Sequence, residues 1–229
     1  MLDKRVSSLS AAVAGIRDGS VVLIGGFGAS GIPVELIDAL IDGGARELTV
    51  VTNNAGAGHT DIAKLLASGH VRKIVCSFPR SAGSVVFEEL YGAGKLELEL
   101  VPQGTLSERM RAAGAGIGGF FTRTAAGTKL AEGKETRVID GHEYVFEKPL
   151  KGDVALIKAE TADRWGNLTF RMAARNFAPT MAMAADLTLV QARKIVDLGD
   201  ISPEQVMTPG IFVDRVVEVQ NPIHAGQKS

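Results

Sequence analysis

A glycine-rich segment close to the N-terminus has the residue types and the spacing of a ligand-binding loop. Residues 25–31 read G-G-F-G-A-S-G and contain a complete G-x-G-x-x-G at Gly26, Gly28 and Gly31. An apolar run precedes the segment and a helix-like stretch follows it, as in a dinucleotide-binding fingerprint. A glycine loop that leads into a helix presents backbone N–H groups, which favour a phosphate or a developing oxyanion. The alternative is that the glycines only permit a tight turn.

Two departures from the fingerprint argue against a dinucleotide. A dinucleotide site needs an acidic residue about 20 positions further on, where it binds the ribose hydroxyls. Here Asn53 lies 22 residues after Gly31, at the place of that acid, and it carries no charge. Ile32 and Pro33 follow the third glycine at once, so the helix begins later than the fingerprint requires. A dinucleotide-dependent oxidoreductase therefore stays only as an alternative.

Polar side chains follow three further strands of the predicted sheet. Asn53 and Asn54 come after the second strand, Arg80 after the third and Gln103 after the fourth. The carboxyl ends of parallel strands meet at one edge of a sheet, where open α/β folds bind ligands. Amides at that edge are suited to hold a carboxyl group or a thioester oxygen, although each of them alone could simply close a turn. Together with the glycine loop they predict a pocket.

Residues for other kinds of catalysis are not arranged for it. The histidines lack metal-ligand spacing, and Ser30 lies in G-A-S-G rather than in a G-x-S-x-G elbow. Cys76 lies within an apolar strand and is expected to be buried. Glu35, Glu88 and Glu89 lie on predicted helices, where solvated faces are the simplest interpretation. The sequence thus predicts a pocket suited to an oxyanion, with no metal and no evident nucleophile.

The elements that must position these residues alternate between strand and helix up to about residue 115. Strands are predicted at 20–25, 48–53, 72–77 and 96–101, and helices at 33–42, 60–67, 85–91 and 105–113. This alternation favours βαβ units and a mostly parallel sheet with flanking helices. Residues 116–219 form a β-rich second part, with a hairpin at 136–139 and 144–147, strands at 154–159, 167–170, 187–191 and 213–219, and a helix at 179–185. We expect one α/β domain over 1–229, with a fraying tail at 220–229.

Composition excludes several classes of function. The net charge of −1 and a pI near 6.4 provide no basic field for nucleic acid. No apolar run is long enough to span a membrane, and the N-terminal M-L-D-K-R-V-S-S lacks the apolar core of a signal peptide. A single cysteine, Cys76, fits a reducing cytoplasm.

Four segments, taken in order, carry a resemblance to a known family. G-G-F-G-A-S-G-I-P, V-T-N-N-A-G, V-P-Q-G-T-L-S-E-R-M-R-A and A-A-R-N-F resemble the A subunit of the 3-oxoacid CoA-transferases, over about residues 5–219. The resemblance implies that CoA passes from an acyl-CoA to an acceptor acid through a glutamyl-CoA thioester. The nucleophilic glutamate of the family belongs to the B subunit, in an E-N-G context that this chain lacks. The resemblance therefore implies that no catalytic nucleophile lies in this chain, and that it is active only with a B subunit, as a heterodimer or a heterotetramer.

The resemblance also suggests roles for particular residues. The proposed CoA-binding segment consists of Gly25, Gly26, Phe27, Gly28, Ala29, Ser30 and Gly31. The pocket beside the partner's glutamate would be lined by the amides of Asn53, Asn54 and Gln103. Arg175 and Asn176 match a family motif without an assignable role, and the glycine-rich 114–119 loop has none either. The CoA thioester is then a substrate, and no permanently bound cofactor is expected.

The acceptor acid is predicted from two further segments. C-S-F-P-R, residues 76–80, and D-R-W-G-N-L-T, residues 163–169, resemble the 3-oxoadipate branch of the family rather than the acetoacetate branch. Succinyl-CoA is the expected donor. Arg80 could pair with the distal carboxylate of a dicarboxylic acceptor, or it could be a surface charge. Acetoacetate is the alternative acceptor, and a non-catalytic sugar-phosphate-sensing domain is the alternative of another class.

Overall fold

A sheet of parallel strands forms the centre of the molecule. The structure is a computed structural model that describes residues 2–223, so the predicted tail lies outside the described residues from His224 onward. The helices are α1 Leu9–Val13, α2 Val34–Asp42, α3 Asp61–Ala67, α4 Val85–Gly92, α5 Gln103–Gly114 and α6 Ala178–Ala184. The strands are β1 Val21–Ile24, β2 Leu48–Val51, β3 Val71–Cys76, β4 Glu97–Leu100, β5 Phe120–Thr122, β6 Thr136–Ile139, β7 His142–Glu147, β8 Gly152–Asp163, β9 Leu168–Thr169, β10 Ala185–Val196 and β11 Arg215–Glu218.

The strand order reverses direction at β1. The central sheet runs β11-β10-β8-β1-β2-β3-β4, and every neighbouring pair along this order is parallel. From β1 the chain builds outward to β4, and it then returns to place β8 on the other side of β1. The junction between β1 and β8 is therefore the topological switch point, where open α/β sheets form a crevice at the carboxyl ends of their strands.

Helices cover both faces of the sheet. On one face α1, α2, α3 and α4 bury apolar side chains such as Leu36, Leu65 and Phe87 against β1–β3. On the other face α5 and α6 pack around Leu106, Met110 and Met181. Helices α5 and α6 approach closely at Gly114, where an added Cβ would lie 2.6 Å from the Cβ of Met183. That contact explains the first glycine of the 114–119 loop as a packing requirement.

The predictions for the first half are confirmed, and those for the second half are partly confirmed. Four βα units occupy the predicted positions, and the predicted hairpin is the β6–β7 pair. With β5 this hairpin forms a separate antiparallel sheet in the order β5-β7-β6. The later strands β8, β10 and β11 instead extend the parallel sheet, a continuation that the β-rich pattern did not indicate.

Strands β8 and β10 are longer than the sequence predicted. Each has 12 residues, whereas β1 ends at Ile24, which pairs with Leu156 of β8. The two strands remain paired as far as Asp163 and Val196. They therefore project beyond the carboxyl end of β1 and form one wall beside the glycine loop.

Candidate active site

The glycine loop folds into a short hairpin at the carboxyl end of β1. The N–H of Phe27 donates to the carbonyl of Ser30 at 2.9 Å, and the N–H of Ser30 donates back at 3.0 Å. Gly28 adopts a φ of 57°, which favours glycine at the corner. Within residues 2–223 the N–H groups of Gly28, Ala29 and Gly31 donate no hydrogen bond. The loop therefore offers two unused backbone donors at its exposed tip, Gly28 and Ala29, and a third at the half-buried Gly31.

The side chain of Asn176 holds this loop in place. Its Oδ1 accepts from the N–H of Gly26 at 3.0 Å and from the N–H of Phe177 at 2.7 Å. Its Nδ2 donates to the carbonyl of Ser30 at 3.2 Å and to that of Ala174 at 2.9 Å. One amide thus joins both arms of the hairpin to the segment that precedes α6, a function that the A-A-R-N-F motif did not reveal.

The close contact between the two segments requires glycine at position 31. A Cβ added to Gly31 would lie 2.5 Å from the carbonyl oxygen of Ala174 and 2.5 Å from Nδ2 of Asn176. The φ of 76° at Gly31 also disfavours any other residue. Asn176 itself adopts a φ of 27° and a ψ of −120°, a conformation that is uncommon for any residue other than glycine.

The first turn of α2 is held by β10 and by residue 223. The N–H of Leu36 donates to Oε1 of Gln191 at 3.1 Å. The Glu35 side chain is buried, and it accepts from Nε2 of Gln191 at 2.5 Å and from the N–H of Ile223 at 2.6 Å. The prediction of a solvated face for Glu35 is wrong, because β10 brings Gln191 against the first turn of the helix. The hairpin therefore offers unused donors in an exposed position, whereas the first turn of the helix is covered by Gln191 and by the buried Glu35 side chain.

Asn53 and Gln103 meet in a three-residue cluster. Oδ1 of Asn53 accepts from Nε2 of Gln103 at 2.9 Å and from the hydroxyl of Ser77 at 2.8 Å. These bonds orient the largely buried Asn53 amide, whose Nδ2 donates no hydrogen bond within the described part of the chain. The cluster joins residues that follow β2, β3 and β4. Ser77 was missed, since no property of a lone serine after a strand distinguishes it.

Asn54 and Arg80 lie apart from this cluster. Oδ1 of Asn54 accepts from the N–H of Gly56 at 2.9 Å, so this side chain closes a local turn. The Arg80 side chain is 68% exposed, and its Nε lies 4.0 Å from a carboxylate oxygen of Glu88. Neither residue forms a hydrogen bond with Asn53 or Gln103.

The remaining sequence candidates show no reactive arrangement. Burial raises the pKa of the Cys76 thiol to about 12, so the thiol stays protonated at neutral pH, and the prediction that it is buried is confirmed. Across residues 2–223 no group of three or more His, Cys, Asp or Glu residues is placed to hold a metal ion. The same stretch contains no helix with the length and apolarity needed to cross a membrane.

Comparison with known proteins places the chain among CoA-transferases. The family model described as "Coenzyme A transferase" matches residues 6–219. The chain is 60% identical to the A subunit of the 3-oxoadipate CoA-transferase of Pseudomonas putida, over 96% of this chain and 95% of that protein. It is 51% identical to the A subunit of the succinyl-CoA:3-ketoacid coenzyme A transferase of Xanthomonas campestris, over 93% and 88%. An acyl-CoA transferase structure from Escherichia coli O157:H7 shares the fold, with a TM-score of 0.83 at 24% identity, over 98% of this chain and 49% of that one.

Proposed function

The chain belongs to the coenzyme A transferase family, and we propose that it is the A subunit of an enzyme that moves CoA from succinyl-CoA to 3-oxoadipate. The observation that carries this proposal is the 60% identity to the A subunit of a 3-oxoadipate CoA-transferase over nearly the whole of both chains. Family membership gives no support to an oxidoreductase or to a sugar-phosphate sensor. The CoA thioester is a substrate here, with no resident cofactor, and the protein acts in the cytoplasm.

In the proposed reaction this chain orients the thioester and the partner attacks it. A glutamate of the B subunit attacks the acyl-CoA carbonyl and displaces the CoA thiolate, which leaves a mixed anhydride. The thiolate then attacks the glutamyl carbonyl of this anhydride and releases succinate, and the glutamyl-CoA thioester so formed carries CoA to the acceptor acid. Attack places negative charge on the carbonyl oxygen, and the unoccupied Nδ2 of Asn53 is a donor for that charge. Gln103 and Ser77 hold the Asn53 amide in one orientation through Oδ1. A preorganised donor of this kind contributes about 3 kcal/mol to the stabilisation of a transition state.

In the same proposal residues 25–31 hold the CoA ester. The N–H groups of Gly28, Ala29 and Gly31 are the unused donors of the hairpin. No other atom lies within 4 Å of the position that a Cβ on Gly28 would take. A ligand can therefore approach the backbone of Gly28 closely from that side. Asn176 keeps these donors in one geometry, which avoids an entropic cost when the ester binds.

Two acceptor acids are compatible with the relatives of this chain. The 51% identity to a succinyl-CoA:3-ketoacid transferase chain keeps acetoacetate as a second candidate. If the acceptor is 3-oxoadipate, Arg80 is the residue that pairs with its distal carboxylate. The exposure of Arg80 and its 4.0 Å separation from Glu88 leave the guanidinium accessible for such a pair. Arg80→Ala should then reduce turnover of 3-oxoadipate more than that of acetoacetate, and an equal reduction would remove Arg80 from substrate recognition.

The proposal is tested by purifying the chain with and without its B subunit. CoA transfer from succinyl-CoA to 3-oxoadipate and to acetoacetate is measured for each preparation. We expect no turnover from either chain alone, full turnover from the pair, and a preference for 3-oxoadipate. Full activity of the isolated chain would contradict the division of the active site between two chains, and a preference for acetoacetate would overturn the proposed acceptor.

A further inference from the structure

A cavity lies at the switch point between β1 and β8. Its volume is about 760 Å³, and its walls include Ser30 and Gly31 of the glycine loop and Lys158 of β8. It adjoins the hairpin from the side of β8, whereas β2, which leads to Asn53, flanks β1 on the other side. The cavity is thus the crevice that the reversal of strand order predicts, and it is separate from the Asn53 cluster.

The charged side chains that line the cavity are mostly cationic. Lys158, Arg171 and Arg193 contribute three positive charges, and Glu160 contributes one negative charge. Glu160 pairs with Arg193 at 2.7 Å, so its charge is already compensated. The guanidinium of Arg171 makes no ion pair or hydrogen bond within residues 2–223. The side chains that line the cavity therefore carry a net positive charge, and the cavity is large enough to take a phosphate or a carboxylate group.

Lys158 carries this charge into the wall of the cavity. Its Nζ donates to the carbonyl of Ile223 at 3.1 Å, which uses one of its three N–H groups. Burial lowers the pKa of the ammonium group, while the carboxylates of Glu35, Asp61 and Glu160 act in the opposite direction. A further anion in the cavity would favour the charged form of the lysine in the same way.

The rim of the cavity includes an exposed residue in an uncommon backbone conformation. Met172 is 84% exposed and adopts a φ of 50°, a conformation that is rare for a residue with a long side chain. The segment that contains Arg171 and Met172 leads directly to Asn176, whose amide joins it to the glycine loop. Asn176 therefore joins the segment that carries Arg171 to the glycine loop.

We propose that this cavity binds an anionic oxygen group of a substrate through Arg171, Lys158 and Arg193. The guanidinium of Arg171 suits bidentate pairing with a phosphate or a carboxylate. Two sources share this chemistry, namely the phosphates of CoA and the distal carboxylate of a dicarboxylic acceptor, which in the second case would pair here instead of with Arg80. The choice of these ligands rests on the proposed function, whereas the charged crevice itself does not.

The test compares Arg171→Gln with the matched control Arg175→Gln in the reconstituted pair of chains. Arg175 lies on the same exposed segment, and its guanidinium contacts Sδ of Met207 at 3.2 Å instead of lining the cavity. Calorimetry measures binding of free CoA and of pantetheine, which lacks the nucleotide and all its phosphates. Steady-state assays measure KM for 3-oxoadipate and for acetoacetate, which lacks a distal carboxylate.

Each source of the anion predicts a separate result. If the cavity binds a phosphate, Arg171→Gln raises the Kd for CoA about tenfold or more and leaves the Kd for pantetheine unchanged. If it binds the distal carboxylate, the same variant raises KM for 3-oxoadipate by a similar factor and spares acetoacetate. Equal binding and equal KM values for Arg171→Gln and Arg175→Gln would overturn the proposal. Binding of CoA is measured without turnover, so a pair that fails to transfer CoA contradicts the proposed function and still tests the cavity.

Discussion

Replacement of Asn176 by alanine should both destabilise the protein and lower its enzymatic activity, and the two effects can be measured separately. The amide makes four hydrogen bonds of 3.2 Å or shorter, with the N–H groups of Gly26 and Phe177 and the carbonyls of Ser30 and Ala174. Each such bond contributes about 1 kcal/mol net, and the loop bonds are partly exposed, so we expect a destabilisation of about 2–4 kcal/mol. The free energy of unfolding of the reconstituted pair, measured by circular dichroism in urea, checks this value.

Asn176→Ala should also have a lower kcat/KM per folded molecule. Without Asn176 the donors at Gly28 and Ala29 are no longer fixed, and a displacement of about 1 Å costs roughly 100-fold in rate. Asn167→Ala is the matched control, because its amide also bonds a backbone N–H, that of Gly210 at 2.9 Å, and Asp163 at 2.8 Å, away from the loop. We expect kcat/KM for succinyl-CoA to fall in Asn176→Ala only. Equal kcat/KM in the two variants at equal folded fraction would refute the positioning role.

Three further predictions follow from individual contacts. Asn53→Ala should lower kcat about 100-fold with little change in KM, since it removes the proposed oxyanion donor. An unchanged kcat would exclude Asn53 from the transition state. Gly31→Ala should lower the urea midpoint of unfolding more than Gly28→Ala does. The new Cβ at position 31 would lie 2.5 Å from the Ala174 carbonyl oxygen, whereas nothing lies within 4 Å of a Cβ at position 28. Equal urea midpoints would contradict this packing. Burial raises the pKa of the Cys76 thiol from 9.0 to about 12, so Cys76 should react with a chromogenic disulfide reagent at pH 8 only in denaturant; rapid labelling of native protein would show that the thiol is accessible. The free energy of unfolding should also fall as the pH rises above about 9, because the thiol ionises first in the unfolded chain.

The first half of the fold could be predicted because its signals are local. Short apolar runs, each followed by a helical stretch, indicate βαβ units without any knowledge of distant contacts. The place of β8 beside β1, and with it that of β10, could not be read in this way, since β8 pairs with a strand more than 100 positions earlier in the chain and such pairing leaves no local pattern. Glu35 shows the same limit, because only the return of β10 places Gln191 against it.

The candidate site was predictable where residue type and strand end coincide. Asn53 follows β2 and Gln103 follows β4, on either side of β3, and the structure brings their amides to 2.9 Å. Asn54 follows the same strand as Asn53 but closes its own turn, a difference that depends on backbone direction and not on residue type. Asn176 lies about 150 residues from the loop that it holds, so its role required the three-dimensional structure.

We infer that this chain supplies half of an active site and that the nucleophile belongs to the partner chain. Intact-protein mass spectrometry in acid, where a thioester survives, tests the claim after the reconstituted pair has been mixed with succinyl-CoA. We predict a covalent CoA adduct on the B subunit and an unchanged mass for this chain. A CoA adduct on this chain would contradict the account.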